Sequence, residues 1–149
     1  MSCEETTASL FRRAGHKMTP QRLMILRALR HANGHVSAAQ IVDEVRQSYP
    51  MVDASTVYRT LDVLKRMRLA TATDMGQGDV VFEWSPEEPH HHLICSKCQD
   101  VLEVGHGHFE GIERSIRTQT GFAPDMHHFA IFGLCKICQA EEVLDDDEA

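Results

Sequence analysis

The chain has 149 residues, 42% of them hydrophobic, with nine glycines and five prolines, which is enough to bury one or two small cores and excludes a disordered or collagen-like chain. Its apolar runs are only a few residues long and no apolar leader opens it, so neither a membrane span nor export is expected, and the expected compartment is the reducing cytoplasm. The net charge of −7 is uneven: residues 1–85 carry eleven Lys or Arg against nine Asp or Glu, and residues 86–149 four against thirteen. All eleven N-terminal cations fall between Arg12 and Arg68, where only Asp43, Glu44, Asp53 and Asp62 oppose them. A basic module joined to an acidic one is the organisation this implies, and the overall acidity does not exclude a nucleic-acid partner.

Three capped helices separated by short turns follow one another in the basic half, as a helix-turn-helix requires. Thr19-Pro20 sets a hydroxyl cap before a first-turn proline, and Leu23, Leu26 and Leu29, with Ile25 beside them, form an apolar stripe that Asn33-Gly34 ends. Ser37 with Gln40 is a capping box for a second helix that carries Ile41, Val42 and Val45 and runs out near Tyr49-Pro50. Asp53 or Ser55 caps the third. Its apolar positions Val57, Leu61, Leu64 and Met67 recur at helical spacing and leave Tyr58, Arg59, Asp62, Lys65 and Arg66 on the other faces. After Leu69 alternation takes over, and a Gly76-Gln77-Gly78-Asp79 turn leading into Val80 to Trp84 reads as a two-stranded wing. Ser85-Pro86-Glu87-Glu88-Pro89 is polar and bounded by prolines, so residues 1–84 and 90–149 read as two domains with 85–89 as the hinge. Beyond it, strands at Leu93–Cys95 and Val101–Val104 flank a tight Cys-Ser-Lys-Cys turn, a helix spans about Gly107–Thr120, and His127–Leu134 reads as a further strand. Glu141–Ala149 holds six acids and is expected to fray, and Cys3 reads as an incidental thiol in a mobile terminus.

The strongest chemical signal is Cys95-x-x-Cys98 with Cys135-x-x-Cys138. Each tight turn aims two sulfurs at one point, and four thiolates in two such pairs make a closed tetrahedral site for structural Zn(II) that staples a small domain. Two independent redox dithiols are the alternative, although no thioredoxin-like context supports them. His90-His91-His92 lies just upstream. Along a strand His90 and His92 share one face and His91 takes the other, so the triplet can feed two metal sites or form a solvated surface. With His35, Glu83 and Glu103, the pair His90 and His92 can close a mixed five-ligand site of the kind Fe, Mn or Zn prefers. His91 with Glu110 and His127 can form another or be ordinary surface polarity. His106, His108 and His128 read as surface residues or spare ligands.

Met18-Thr19-Pro20-Gln21-Arg22, then Ala54-Ser55-Thr56-Val57-Tyr58-Arg59-Thr60-Leu61, then the run from His90 to Cys98, then Gly133-Leu134-Cys135-Lys136-Ile137-Cys138, make the chain resemble the ferric uptake regulator family. The resemblance implies an α+β fold: an N-terminal winged helix-turn-helix domain followed by a small α/β dimerisation domain in which Cys95, Cys98, Cys135 and Cys138 hold structural Zn(II). It implies that His35, Glu83, His90, His92 and Glu103 are the regulatory metal site, and His91, Glu110 and His127 an additional one. Many members have a carboxylate at the place of His91 and a histidine at that of Pro89, so the additional site departs from the family pattern. Glu103 stands where peroxide-sensing members usually carry Asp. The regulatory set also has no cysteine, which zinc-uptake regulators often include, so the resemblance favours Fe(II), with Mn(II) or Zn(II) behind it.

The implied function is metal-responsive transcription regulation and not catalysis: a homodimer that represses metal-uptake genes with Fe(II) bound, with zinc or manganese uptake control or peroxide sensing as alternatives. The expected partner is an AT-rich palindromic DNA operator. A cation contacting both sides of the hinge favours one arrangement of the two reading heads over successive major grooves. Ser55 and Thr56 open the reading helix. Tyr58 can press on thymine methyls or pack half-buried, and Arg59 can reach guanine or phosphate or stay solvated. Lys17 can touch backbone or minor groove, and Gln21 and Arg22 meet phosphates at a helix start. From another class, a metal-dependent hydrolase with zinc on His90, His92 and a carboxylate needs a base and a cleft, and no HExxH or nucleophile-elbow pattern is present. A zinc storage module would not need the basic helix.

Overall fold

The fold is taken from a computed structural model, which describes the backbone of residues 3–76, 78, 80–85 and 89–146 and their side chains except at 3, 4 and 142–146. Gln77 and Asp79 of the expected turn, Pro86, Glu87 and Glu88 of the expected hinge, and the last three residues lie outside the described residues. The chain divides into two units: residues up to Ala72 with Val81–Ser85, and Thr73–Val80 with the described residues beyond Ser85.

The first unit opens with α1 (Cys3–Arg13), a helix not among the three expected. It is held by Phe11, fully buried in the core, with Thr7 and Ala8 also buried, so Cys3 belongs to an anchored helix and not to a mobile end. α2 (Pro20–His31) begins where Thr19 accepts the Arg22 N–H, with Pro20 in the first turn, where no intrahelical bond is forgone. Gly34, at φ +89°, turns the chain into β1 (Val36–Ser37). α3 (Ala38–Ser48) carries the expected capping box: Ser37 Oγ accepts the Gln40 N–H and Gln40 Oε1 accepts the Ser37 N–H. α4 (Ala54–Arg66) is capped by Asp53, whose carboxylate accepts the Ser55 N–H at 3.0 Å. Val57, Thr60, Leu61, Val63 and Leu64 face inward from it and join Phe11, Ile25, Leu26, Leu29, Ile41, Val42, Val45 and Val52. Each fully buried Leu or Ile in such a core contributes about 1.5–3 kcal/mol.

β2 (Ala70–Asp74) and β3 (Val80–Trp84) form the wing, with Gly76 and Gly78 both at positive φ between them. The wing has one strand more than expected, because β1 pairs antiparallel with β3, Val36 opposite Phe82 and Ser37 opposite Val81, in the order β1-β3-β2. A two-residue strand has no periodicity to read.

The second unit is a sheet ordered β5-β4-β6, in which β4 (His90–Cys95) runs antiparallel to β5 (Val101–Gly105) and parallel to β6 (Ala130–Gly133). β4 begins three residues before its apolar stretch, because the histidines pair along the ladder with Glu103, Val104 and Gly105. A 3-10 turn at His106–His108 replaces the first turn of the expected helix, and α5 (Glu110–Thr120) ends on Gly121 at φ +71°, a glycine C-cap. β6 starts at Ala130 rather than at His127. α6 (Lys136–Asp146) runs into the acidic segment, which is helical as far as Asp146. The described core of this unit is thin: Ile94, Cys95, Phe109 and Cys138, with His91 and His92 fully buried beside them. No helix among the described residues is long and apolar enough to cross a membrane.

Candidate metal centres

β4 delivers Cys95 at its last residue, the following turn delivers Cys98, and the start of α6 delivers Cys135 and Cys138, so two tight turns at the same end of one sheet meet. The Cys95 N–H donates to the Asp100 carbonyl at 2.9 Å and the Gln99 N–H to the Cys95 carbonyl at 2.9 Å, which closes the first turn, with Gln99 at φ +64°. All four sulfurs lie within 4.8 Å of one another, and Cys98 Sγ is 3.7 Å from Cys135 Sγ. A tetrahedral zinc with Zn–S of about 2.3 Å holds its sulfurs about 3.8 Å apart, so the thiols stand where that ion needs them. Backbone N–H groups of Cys98 and Cys135 pull the Cys95 thiol down to about 6, the Cys135 N–H lying 3.4 Å from its sulfur. The Asp100 N–H pulls Cys98 down as well, but the neighbouring thiols of Cys95 and Cys135, with partial desolvation, outweigh that and raise it. Burial, then the neighbouring thiols, push Cys138 up to about 12. A site that favours the Cys95 thiolate and resists those of Cys98 and Cys138 without a cation is one that a cation completes. Independent dithiols do not account for both pairs converging on one point.

The proposed regulatory ligands are assembled in two parts, each within its own unit. In the first, the β1/β3 register puts Val36 opposite Phe82, so one step further His35 stands across from Glu83, with Nε2 to Oε2 at 3.5 Å and both side chains mostly buried. In the second, His92 pairs with Glu103 across the β4/β5 ladder and His90 lies two residues away on the same face. Ligand atoms of His90, His92 and Glu103 lie within 4.8 Å of one another.

His91 takes the opposite face, as alternation dictates, and is fully buried. Its ring stacks on Phe129 at 4.0 Å and meets Phe109 edge-on at 4.9 Å, while Nε2 lies 2.9 Å from His106 Nδ1. Burial, then the nearby charges of His106, His90 and His127, lowers its pKa below the usual 6.5. Among the described residues His91, Glu110 and His127 do not converge to metal-ligand separations, and Glu110 is exposed. The backbone N–H of His127 donates to Asp125 Oδ1 at 3.1 Å.

On α4 the outward face carries Tyr58, 55% exposed, and Arg59, whose guanidinium is folded back onto Ser55 Oγ at 2.6 Å. Ser55 and Thr56 are half-buried in the first turn, where the Thr56 carbonyl accepts from Thr60 Oγ1. Lys17 is exposed and its carbonyl accepts from Arg22 Nη1 at 2.6 Å, so Arg22 fixes the loop that presents Lys17. Gln21 is half-buried beside it.

The ferric uptake regulator family pattern matches residues 13–132 of the chain. This protein belongs to the ferric uptake regulator family. It is 32% identical over 136 residues to the peroxide-responsive repressor PerR of Staphylococcus aureus, covering 91% of this chain and 90% of that one. It superposes on the ferric uptake regulator from Pseudomonas aeruginosa solved with manganese at a TM-score of 0.70, with 26% identity over 91% of this chain and 99% of that one. The Helicobacter pylori ferric uptake regulator Fur superposes at 0.69 over 91% and 90%, with 24% identity, a likeness of fold. Family members are transcription regulators that bind metals and DNA, and this ferric uptake regulator family chain is accordingly a metal-responsive transcription regulator and not an enzyme. Its α+β halves are the winged-helix and dimerisation halves of that family.

Two histidines of this ferric uptake regulator family chain that read as surface residues or spare ligands are built into clusters: His106 against His91, and His128 against His90 and His92. The signal for His128 is the doublet His127-His128 at the entry to an alternating segment, which puts one of the two on the His90/His92 face.

Proposed function

We propose that this protein is a cytoplasmic, homodimeric repressor of metal-uptake genes that binds an AT-rich palindromic operator when a divalent cation, Fe(II) first and Mn(II) or Zn(II) after it, fills the set His35, Glu83, His90, His92 and Glu103. The carrying observation is that each part of this set is already gathered inside its own unit, His35 against Glu83 and His92 against Glu103 with His90 alongside. A bound cation supplies attraction that both parts share, so it favours whichever arrangement of the units lets all five donors reach it. The donor set of imidazole and carboxylate fits a borderline first-row ion.

Cys95, Cys98, Cys135 and Cys138 hold a permanent Zn(II) that keeps β4, β5, β6 and α6 together. The row Leu102, Leu93 and Ile131 lies on the His91 face of the sheet, and Leu102 and Ile131 are 60% and 42% exposed in the single chain, which supports that face as the one covered in the homodimer. The additional site of His91, Glu110 and His127 requires the last two side chains to swing toward His91. On DNA, Tyr58, Arg59, Ser55 and Thr56 meet the major groove, and Lys17, Gln21 and Arg22 the backbone.

Anaerobic anisotropy titration of an AT-rich palindromic duplex tests this directly, with about 5–150-fold tighter binding expected in Fe(II) than in chelator. Equal affinity in the two overturns the switch. Peroxide sensing is the second reading, favoured by the 32% identity to PerR. Loss of operator binding after brief hydrogen peroxide treatment of the Fe(II)-loaded protein, but not of the Mn(II)-loaded protein, decides for it.

A further inference from the structure

His128 lies outside the ligand set that the resemblance implies, yet the C-terminal unit carries it to the same place. Strand register explains why. His92 lies beside Ala130 across the parallel β4/β6 ladder, so residue 128, two positions earlier, falls on the same face, level with His90. The ring of His128 stands 4.9 Å from that of His92 and 5.3 Å from that of His90, and those two are 5.0 Å apart, all edge-on. Ligand nitrogens of His92 and His128 lie within 4.8 Å of each other, and His90, His92 and Glu103 form a separate group at the same separation, so His92 is the ligand that the two groups share.

Orientation is the second observation. His128 Nδ1 is 3.1 Å from the His90 carbonyl oxygen, which can only accept, so Nδ1 carries the proton and Nε2 carries the lone pair. Metal-ligating histidines are anchored in this way, the far N–H given to a backbone carbonyl. Nε2 accepts from the buried Thr73 hydroxyl, a neutral donor that a cation can displace.

We propose that His128 is a further ligand of the regulatory centre, entering it beside His92, so that the C-terminal unit has an additional imidazole to offer a first-row divalent cation of the Fe(II) or Zn(II) kind. The inference rests on reading His90, His92 and Glu103 as that centre. An additional imidazole raises affinity for Fe(II), Co(II) and Zn(II) more than for Mn(II), which prefers oxygen donors. His128 therefore widens discrimination against Mn(II).

The full chain, loaded with its structural zinc, is titrated with Co(II) and Mn(II) against a chromophoric chelator, and the Co(II) visible bands are recorded. His128→Asn sets an amide nitrogen where Nδ1 stands, keeping the bond to the His90 carbonyl while deleting Nε2. It is expected to weaken Co(II) by at least about tenfold, to weaken Mn(II) less, and to shift the Co(II) bands, with zinc content and melting temperature unchanged. His128→Gln, with an amide near the Nε2 position, is expected to fall between, and it carries the test if the Asn variant does not fold. His92→Ala separates the two claims. If it binds Co(II) as the wild type does, the reading of the centre itself fails. If it loses Co(II) while His128→Asn keeps wild-type affinity and bands, the centre stands and the role of His128 is overturned.

Discussion

Withdrawing zinc from the four-cysteine cluster should unfold the C-terminal unit and leave the N-terminal unit standing. The described core of the C-terminal unit has two large apolar side chains, Ile94 and Phe109, which at about 1.5–3 kcal/mol each supply about 3–6 kcal/mol. Structural zinc in small domains is worth about 10–16 kcal/mol near neutral pH, several times as much. The N-terminal unit, by contrast, buries Phe11, Ile25, Leu26, Leu29, Ile41, Leu61 and Leu64 completely and contains no part of the cluster. Scanning calorimetry of the zinc-loaded protein, of protein stripped with a strong chelator, and of Cys138→Ser should show the C-terminal transition vanish in the last two while the N-terminal transition moves by only a few degrees. Zinc-free protein, verified by metal analysis, that keeps both transitions refutes this division of stability.

The double change Tyr58→Ala and Arg59→Ala should collapse operator binding while metal binding survives, read by anisotropy and by chelator competition. Loss of both would mean that α4 is a structural support and not the reading helix. Zinc loading at pH 7.5 should release protons from Cys98 and Cys138, whose thiols are raised, the latter to about 12, but little from Cys95, which sits at about 6 and is already a thiolate. Zinc affinity should therefore climb with pH, and calorimetry in buffers of different ionisation enthalpy counts the protons; fewer than two per zinc contradicts the assignment. Ser37→Ala removes the hydroxyl half of the capping box and should cost the N-terminal unit about 1 kcal/mol in urea titration, with the slope unchanged.

The parts of the fold that could be read in advance are those in which a local rule decides. Thr19-Pro20, the Ser37/Gln40 box and Asp53 each satisfy backbone donors that a helix start must satisfy, and each helix begins there. The cysteine spacing worked for the same reason, since two short turns can present their sulfurs in few other ways. α1 escaped although Arg12 and Arg13 in its last turn and Gly15 at φ +81° mark its end, and the burial of Phe11 holds it to the core. α6 escaped because its acidic composition argues for solvation, while its start is held by Cys135, whose carbonyl accepts the Gln139 N–H. At the metal centres, alternation placed His90 and His92 opposite His91, but the partners His106 and His128 come from segments whose pairing only the sheet order decides.

The most direct test of the switch is reciprocity. If one cation bound by His35, Glu83, His90, His92 and Glu103 couples to DNA reading, saturating operator must tighten Fe(II) or Mn(II) binding by the same factor that the metal tightens operator binding. Chelator competition with and without saturating palindromic duplex measures it. The account predicts equal factors in wild type and a factor of one in His35→Ala. A metal affinity that saturating operator leaves unchanged in the wild type contradicts it.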